Sequence, residues 1–256
     1  DYNRYYARLN SDINLSRNLV FTSSLSLAYI NSNLQEQGLS RETNPLLAAL
    51  RKAPMLSPYQ IDDDGKMLPE YAPVRNDTGL VVTNNAVSNP LSLVDNVRAK
   101  NTIYDVQALF GLNGKIKDHW TLGVTAGLYY YKKNESVFIP GVTEQSIMPL
   151  QNGLAENTSR DGETELRNFY FAARAGYDQT FSGMHNLKGS LGVQSAINSS
   201  EYDYAQGINS ANDYYYLLGN SSSNVGRVVS GYIDKFNWVN INANLNYTYN
   251  HLVGVG

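Results

Sequence analysis

The chain has 256 residues, a formal net charge of −3 and no cysteine. Its basic residues are scattered rather than clustered, which argues against a nucleic-acid partner, and the lack of cysteine excludes disulfides, thiolate nucleophiles and cysteine-bound metals. The mean hydropathy of −0.37 and the shortness of every apolar run exclude a transmembrane helix, but both are compatible with membrane-spanning strands, which are apolar only at alternate residues.

The first segment alternates between polar and apolar side chains. Its polar set includes Arg4, Arg8 and Asp12, and the residues between these are mostly apolar or small at every second position. Because successive side chains of a strand point to opposite faces, this period of two predicts a strand over about residues 4–15. A tight turn leads from it into a second predicted strand at about 19–30.

A long connection without alternation follows at residues 31–100. It is far longer than a usual loop, so we expect a functional excursion or a small subdomain there. Two Asn-Pro pairs, Asn44-Pro45 and Asn89-Pro90, precede short leucine-containing runs. Such pairs are typical of helix starts, where Asn caps the helix and Pro occupies its first turn.

Renewed alternation predicts further strands at about residues 102–114, 120–131, 166–180, 187–198 and 230–249. Two more long loops separate them, at 132–164 and 199–229. Arg174 and Asp178 belong to the polar set of the strand at 166–180. A turn after the last strand leads into the beginning of an eighth.

The longest unbroken pattern lies in the strand at 230–249. Asn240, Asn242, Asn244 and Asn246 alternate there with valine, isoleucine, alanine and leucine. Asn is normally depleted in strands, so a whole row of it calls for a particular environment. A membrane barrel provides one, because lipid covers the apolar row and a water-filled lumen covers the amide row.

The order of loops and turns predicts the architecture. Long loops alternate with short turns, so in an antiparallel meander all the long loops lie at one end. The sequence therefore predicts an all-β fold, an antiparallel up-and-down meander that forms part of a large transmembrane β-barrel. Aromatic residues predict two belts, with Trp120, Tyr177, Tyr247 and Tyr249 at the turn ends and Tyr29, Tyr130, Phe169 and Trp238 at the loop ends.

Candidate functional residues follow from this orientation. Polar side chains expected to face the lumen, where amides and charges can bind sugar hydroxyls or peptide groups, are Arg4, Arg8, Asp12, Arg174, Asp178, Asn240, Asn242, Asn244 and Asn246. Tyrosines of the third long loop expected to stack on sugar rings are Tyr202, Tyr204, Tyr214, Tyr215 and Tyr216. No catalytic, cofactor-binding or metal-binding residue is predicted, because His119, His185 and His251 all lie at short turns, opposite the long loops.

Several short motifs resemble those of one family. They are N-P-L-L-A-A-L-R-K-A-P-M-L-S-P at 44–58, D-D-D-G-K at 62–66, S-N-P-L-S-L-V-D-N at 88–96, G-Y-D-Q-T-F at 176–181 and the run from L-G-N to F-N-W-V-N at 218–240. Together they extend over essentially the whole chain. The chain resembles a TonB-dependent outer-membrane transporter of the SusC/RagA type, and within that family it corresponds to an internal fragment of the barrel.

The resemblance implies a barrel of about twenty-two strands, an amino-terminal plug domain that this chain does not contain, and a SusD-like surface lipoprotein that closes over the mouth. It also implies import of oligosaccharides or peptides, powered by the TonB complex through segments absent here. The expected location is the outer membrane of a Gram-negative-type cell, in contact with lipid. No cofactor and no enzymatic activity are expected.

Other interpretations of the pattern are open at this stage. A self-contained small outer-membrane barrel could act as an adhesin or a structural anchor. An outer-membrane hydrolase would need His with Ser or Asp near the long loops. A soluble β-sandwich binding module would bury the apolar row of each strand against a second sheet and turn the asparagines outward.

Overall fold

The computed structural model describes residues 1–36, 38–40, 42–74, 87–142, 150, 152–218, 226–249 and 253–255. Within these residues, one eight-stranded antiparallel sheet contains β1 (Tyr2–Ser16), β2 (Leu19–Asn33), β5 (Arg98–Ile116), β6 (Trp120–Ile139), β7 (Thr158–Phe181), β8 (His185–Ile208), β9 (Gly226–Tyr249) and β10 (Val253–Val255). Its strand order follows the chain once the separate hairpin of β3 (Tyr59–Ile61) and β4 (Met67–Tyr71) is left out. The predicted all-β meander is confirmed.

Tight turns join β1 to β2, β5 to β6 and β7 to β8 at one end of the sheet. Lys117 and Ser182 adopt positive φ angles of 54° and 51° in two of these turns, and Gly183 follows with a φ of 69°. This left-handed conformation reverses the chain in very few residues. The long connections lie at the opposite end, as the sequence predicts.

The strands continue much further into the predicted loops than the alternation indicates. Residues 132–139 of β6 pair with residues 158–165 of β7, so the predicted loop at 132–164 is wrong in its bounds. The predicted loop at 199–229 is likewise too long, because β8 ends at Ile208 and β9 begins at Gly226. The extensions carry polar residues on both faces, exemplified by the Lys132–Glu163 ion pair at 2.6 Å, and a strand that is wet on both sides shows no period of two.

The ladder register shows which side chains share a face. Arg174 of β7 lies opposite Gly192 of β8, which lies opposite Asn242 of β9, so these three residues share one face, here called the polar face. The opposite, apolar face carries Ile241 and Leu245, which are 72% and 65% exposed. No other described element covers the apolar face. This contradicts the β-sandwich interpretation, in which a second sheet packs on that row.

Aromatic rings mark both margins of the apolar face. At the loop end, Tyr5, Tyr29 and Tyr104 form a ladder across three strands, with ring centroids 6.2 and 5.3 Å apart. At the turn end, Trp120 and Tyr177 have centroids 4.8 Å apart. The prediction of Trp238 as a belt residue is wrong. Trp238 lies two residues before Asn240 on the same strand, so it projects to the polar face with the asparagine row, and its ring lies beside Tyr170.

The first long connection forms a small subdomain with two helices, α1 (Pro45–Arg51) and α2 (Pro90–Asn96). Asn44 and Asn89 cap them as predicted, each accepting a hydrogen bond from a backbone N–H of the first turn. Their contact buries a small cluster of Ala48, Val87 and Leu93, against which Val97 packs. Among the described helices, none has the length and apolar content needed to cross a membrane.

Candidate ligand-contacting face and loop cap

All nine lumen-facing candidates lie on the polar face. They are Arg4, Arg8 and Asp12 on β1, Arg174 and Asp178 on β7, and Asn240, Asn242, Asn244 and Asn246 on β9. The ladder connects them row by row, because residues paired across antiparallel strands project to the same side. The grouping of these residues on one surface is therefore a geometric fact, whereas their contact with a ligand stays a prediction.

The polar face contains a depression of about 820 Å³ whose lining comes from seven consecutive strands of the sheet. The sheet is thus concave on its polar side. One row crosses the depression, with Arg8 on β1, Gln107 on β5, Tyr129 on β6 and Asn168 on β7. Charged, amide and phenolic groups therefore line the same depression.

The charged candidates differ in their local partners. Asp178 accepts hydrogen bonds from Lys188 and Asn186, both at 3.1 Å, and is fully engaged near the turn end. The Arg4 guanidinium lies over the ring of Tyr6 at 5.5 Å from its centroid. Arg8 donates from Nε to Asn10 Oδ1 at 3.3 Å. These side chains therefore contact neighbouring residues of the polar face.

Tyr202 and Tyr204 are strand residues of β8, so their assignment to a loop is wrong. Both lie on the polar face, with ring centroids 6.5 Å apart, and Tyr202 lies 5.6 Å from Tyr232 of β9. The alternation fails around them because the β8 extension is polar on both faces. Their rings form an aromatic cluster near the loop end of the polar face, together with Tyr232, which sequence reasoning did not single out.

Tyr214, Tyr215 and Tyr216 follow β8 in the third long connection, as predicted. Tyr214 is 66% exposed, and its contact with a ligand stays a prediction. The ring of Tyr216 is engaged by the protein, since the Arg98 guanidinium lies 4.8 Å from its centroid and Phe138 meets it edge-on at 6.1 Å. Tyr216 therefore fastens the third connection to β5 and β6.

The three long connections pack together into one layer, here called the loop cap, which consists of the described parts of residues 38–97, 140–157 and 209–218. Asp213 joins two of them, because its Oδ1 accepts from Gly141 N–H at 3.1 Å and its Oδ2 accepts from Leu150 N–H at 2.6 Å. Asn157 Nδ2 donates to the same carboxylate at 2.7 Å. Burial raises the pKa of Asp213 above its ordinary value of 3.8, and these three donors oppose that shift.

Ser88 and Asn89, both fully buried, join the first connection to the second. Ser88 Oγ donates to Glu42 O and accepts from Leu154 N–H, and the Asn89 N–H donates to Asn152 O at 2.8 Å. Asn89 Nδ2 also donates to Pro58 O at 2.7 Å. The Asn-Pro pair could reveal the cap role of Asn89, but no local pattern indicates these long-range bonds.

His119 and His185 lie at the turn end, where the sequence places them, and His251 lies outside the described residues. His185 Nδ1 lies 2.6 Å from Tyr247 Oη. Over the part of the chain that the structure describes, no group of three or more His, Cys, Asp or Glu side chains is arranged to hold a metal ion.

Several solved structures share the fold of this chain, among them structures of RagAB. The chain aligns with the structure of the RagAB peptide transporter at a TM-score of 0.72 and 15% identity, covering 98% of this chain and 26% of the other. The RagAB peptide importer aligns in its "open-open" state at a TM-score of 0.71 and 15% identity, and in its "closed-closed" state at 0.68 and 16% identity, each covering 97% of this chain and 26% of the other.

This likeness confirms the resemblance at the level of the fold. The chain spans about a quarter of the length of the chains it matches. No protein-family model matches it, and no curated protein matches its sequence.

Proposed function

We propose that this chain is a wall segment of an outer-membrane nutrient transporter of the SusC type. The apolar face contacts lipid, the polar face lines an aqueous passage, and the loop cap lies at the cell surface. Ligand is captured at the loop end and passes along the polar face without covalent chemistry, so the segment is not an enzyme. The remaining wall, a plug domain and the segment that contacts TonB belong to the longer protein that this function requires.

One observation carries the proposal, which is the division of a single curved sheet into two surfaces of opposite chemistry. The apolar face is uncovered, with Val239 at 70% and Ile241 at 72% exposure, and aromatic rings mark both of its margins. Water would penalise such a face, whereas a bilayer satisfies it and places aromatic rings at its interfaces. The concave polar face has the composition of a wet lumen. The fold that the chain shares with RagAB structures supports the same assignment.

We further propose that the partner at the mouth is a SusD-like surface lipoprotein. The loop cap supports this, because hydrogen bonds through Asp213, Asn157 and Ser88 bind the three connections into one layer at one end of the sheet. A layer of this kind offers a broad surface to a lid. The resemblance to the SusC/RagA type and the fold shared with the RagAB peptide importer support the same partner.

The ligand class is proposed to be an oligosaccharide or a peptide. The aromatic cluster of Tyr202, Tyr204 and Tyr232 offers ring faces for stacking, and the depression on the polar face offers amides such as Gln107 and Asn168 for hydrogen bonding. Both ligand classes use these two kinds of contact.

The test is deletion of the gene for the full-length protein in its native host, followed by uptake of labelled oligosaccharide and peptide mixtures. We expect loss of uptake for one class, restoration by the wild-type gene, and abolition by a protonophore, since TonB draws on the proton gradient of the inner membrane. The protein should fractionate with the outer membrane. Unchanged uptake of both classes, or recovery of the protein in a soluble fraction, would refute the proposal.

A further inference from the structure

Arg174 is placed differently from the other charged groups of the polar face. Within the part of the chain that the structure describes, its guanidinium makes no ion pair and no side-chain hydrogen bond. The nearest acid along the same strand and face is Asp178, about 13 Å away at the rise of a strand, and Asp178 already pairs with Lys188. Arg174 therefore carries an uncompensated positive charge.

The depth of Arg174 on the wall makes this charge notable. Its neighbours in the chain, Ala173 and Ala175, project to the apolar face, where Ala173 lies opposite Val124 and Val193. This position lies between the two aromatic margins, level with the middle of the apolar band. Ionisable groups at membrane depth that face a water-filled passage typically mark a substrate or ion pathway.

The row around Arg174 contains glycines and asparagines. Across five strands the row runs Asn113, Gly123, Arg174, Gly192 and Asn242, so a glycine stands on each side of the arginine and an amide stands beyond each glycine. A Cβ at Gly123 or at Gly192 would collide with the carboxamide oxygen of the adjacent asparagine. The two amides therefore lie over the glycines.

These residues line a pocket of about 230 Å³ that adjoins the larger depression at Tyr170. Its lining includes Arg174, the amides of Asn113, Asn242 and Gln194, and the hydroxyl of Thr125. The planar guanidinium presents a fork of donors that matches the two oxygens of a carboxylate, and the amides and hydroxyl can donate to the same group. Among the described residues, those that line the pocket include no acid.

We propose that the Arg174 pocket is a carboxylate-binding site on the inner wall. The carboxylate comes either from an acidic solute in the passage or from an Asp or Glu of another segment of the same protein that packs against this wall. The inference rests on the proposed function only in that the polar face borders an aqueous passage.

The first arm of the test uses the full-length protein purified in detergent, with succinate as the probe and succinamide as its uncharged control. We expect saturable succinate binding by calorimetry and none by succinamide. Arg174→Gln should weaken succinate binding by about tenfold to a hundredfold, since a charge-assisted bidentate contact is lost. Arg174→Lys should weaken it less, because the charge stays and the fork is lost.

Two further variants separate the pocket from general charge. Arg160→Gln removes an arginine of the same face that donates to Gln206 at 3.0 Å, outside the pocket, and should leave succinate binding unchanged within about twofold. Gly192→Ala keeps the charge but pushes the amide of Asn242 into the pocket, and should weaken binding severalfold. Equal weakening by Arg160→Gln and Arg174→Gln would overturn the inference.

The second arm covers an internal carboxylate, which would block succinate. A cryo-EM structure of the full-length protein should then show an Asp or Glu oxygen at hydrogen-bond distance from the Arg174 guanidinium, and this outcome supports the inference. A guanidinium that faces only water, together with no succinate binding, overturns it. In that case, loss of nutrient uptake on deletion of the gene, with uptake retained in Arg174→Gln, would support the transporter function without the carboxylate site. If succinate binds through Arg174 while no uptake depends on the gene, the site stands and the proposed function fails.

Discussion

Arginine scanning of β9 tests the proposed orientation of the wall, because adjacent residues there project in turn to the apolar face and to the polar face. Ile241 lies in the middle of the apolar face, in register with Val193, and is 72% exposed with no protein element covering it. Asn242 follows it directly and faces the polar side beside the Arg174 pocket. The Ile241→Arg and Asn242→Arg variants therefore place the same new charge one residue apart on opposite surfaces.

The expected penalty follows from depth. An arginine on the lipid face of a barrel costs about 2 to 4 kcal/mol at the bilayer midplane and about 0 to 1 kcal/mol near its interfaces. Ile241→Arg should therefore destabilise the protein by the larger amount, equivalent to about 30-fold to several hundred-fold in the folding equilibrium. Leu245 lies two residues from the belt residue Tyr247, so Leu245→Arg should cost less. Asn242→Arg should cost least, because its side chain stays in water.

The assay is urea unfolding of the full-length protein reconstituted in lipid vesicles, followed by tryptophan fluorescence. The amount of each variant in outer-membrane fractions should rank the three variants in the same way. The reasoning would be refuted by equal penalties at Ile241 and Asn242, or by a larger penalty at Asn242. An unchanged stability of all three variants would also refute it, because no lipid would then contact the apolar face.

Three other perturbations test the loop cap and the aromatic cluster. Asn89→Ala should lower the stability of the loop cap by about 2 to 4 kcal/mol, because it removes the N-cap of α2 and leaves buried backbone groups unpaired. Asn44→Ala should lower it by about 1 kcal/mol, because Asn44 makes fewer hydrogen bonds at the N-cap of α1. Amide hydrogen exchange measures both changes. Burial raises the pKa of Asp213 in the folded protein. The stability that the protonated Asp213 contributes is therefore fully present below pH 3.8, its unfolded pKa, and is lost as the pH rises through the folded pKa. Hydrogen exchange across the loop cap should show this pH dependence in the wild type and not in Asp213→Asn. Tyr232→Ala should weaken binding of the transported ligand about fivefold through lost ring contact, while Tyr104→Ala on the apolar face should leave binding unchanged, as measured by equilibrium binding to the purified protein.

The division into two faces can be predicted from the sequence wherever polar and apolar side chains alternate along a strand. The asparagine row of β9 is the clearest case, because Asn240 to Asn246 alternate with apolar residues and the structure places them together on the polar face. The same rule explains the failures. Beyond Tyr130 on β6 and before Phe169 on β7 both faces carry polar residues, so these extensions read as loops although they are paired strands.

The loop cap could be predicted only in its local parts. Asn44 and Asn89 are recognisable as helix caps because the interaction spans three residues and a following proline. Asp213 gives no such signal, since its donors at Gly141 and Leu150 lie 72 and 63 residues away in the chain. Buried polar bonds between distant segments depend on the tertiary fold, and no period or spacing records them.

The distribution of burial explains why sheet and cap depend on different forces. Most of the buried apolar residues among those described, such as Val87, Leu93, Phe138 and Ile139, lie in the loop cap or in the strand extensions beneath it, whereas Ala196 is a rare example in the rest of the sheet. The cap thus has a small core of its own. The sheet is held by its backbone ladder, and none of the described residues forms an apolar layer on either side of it. Apolar surroundings would therefore stabilise its apolar face. The same absence of a packed layer leaves the polar face open, which is the condition under which Arg174 and the amides around it can meet a group from outside the sheet.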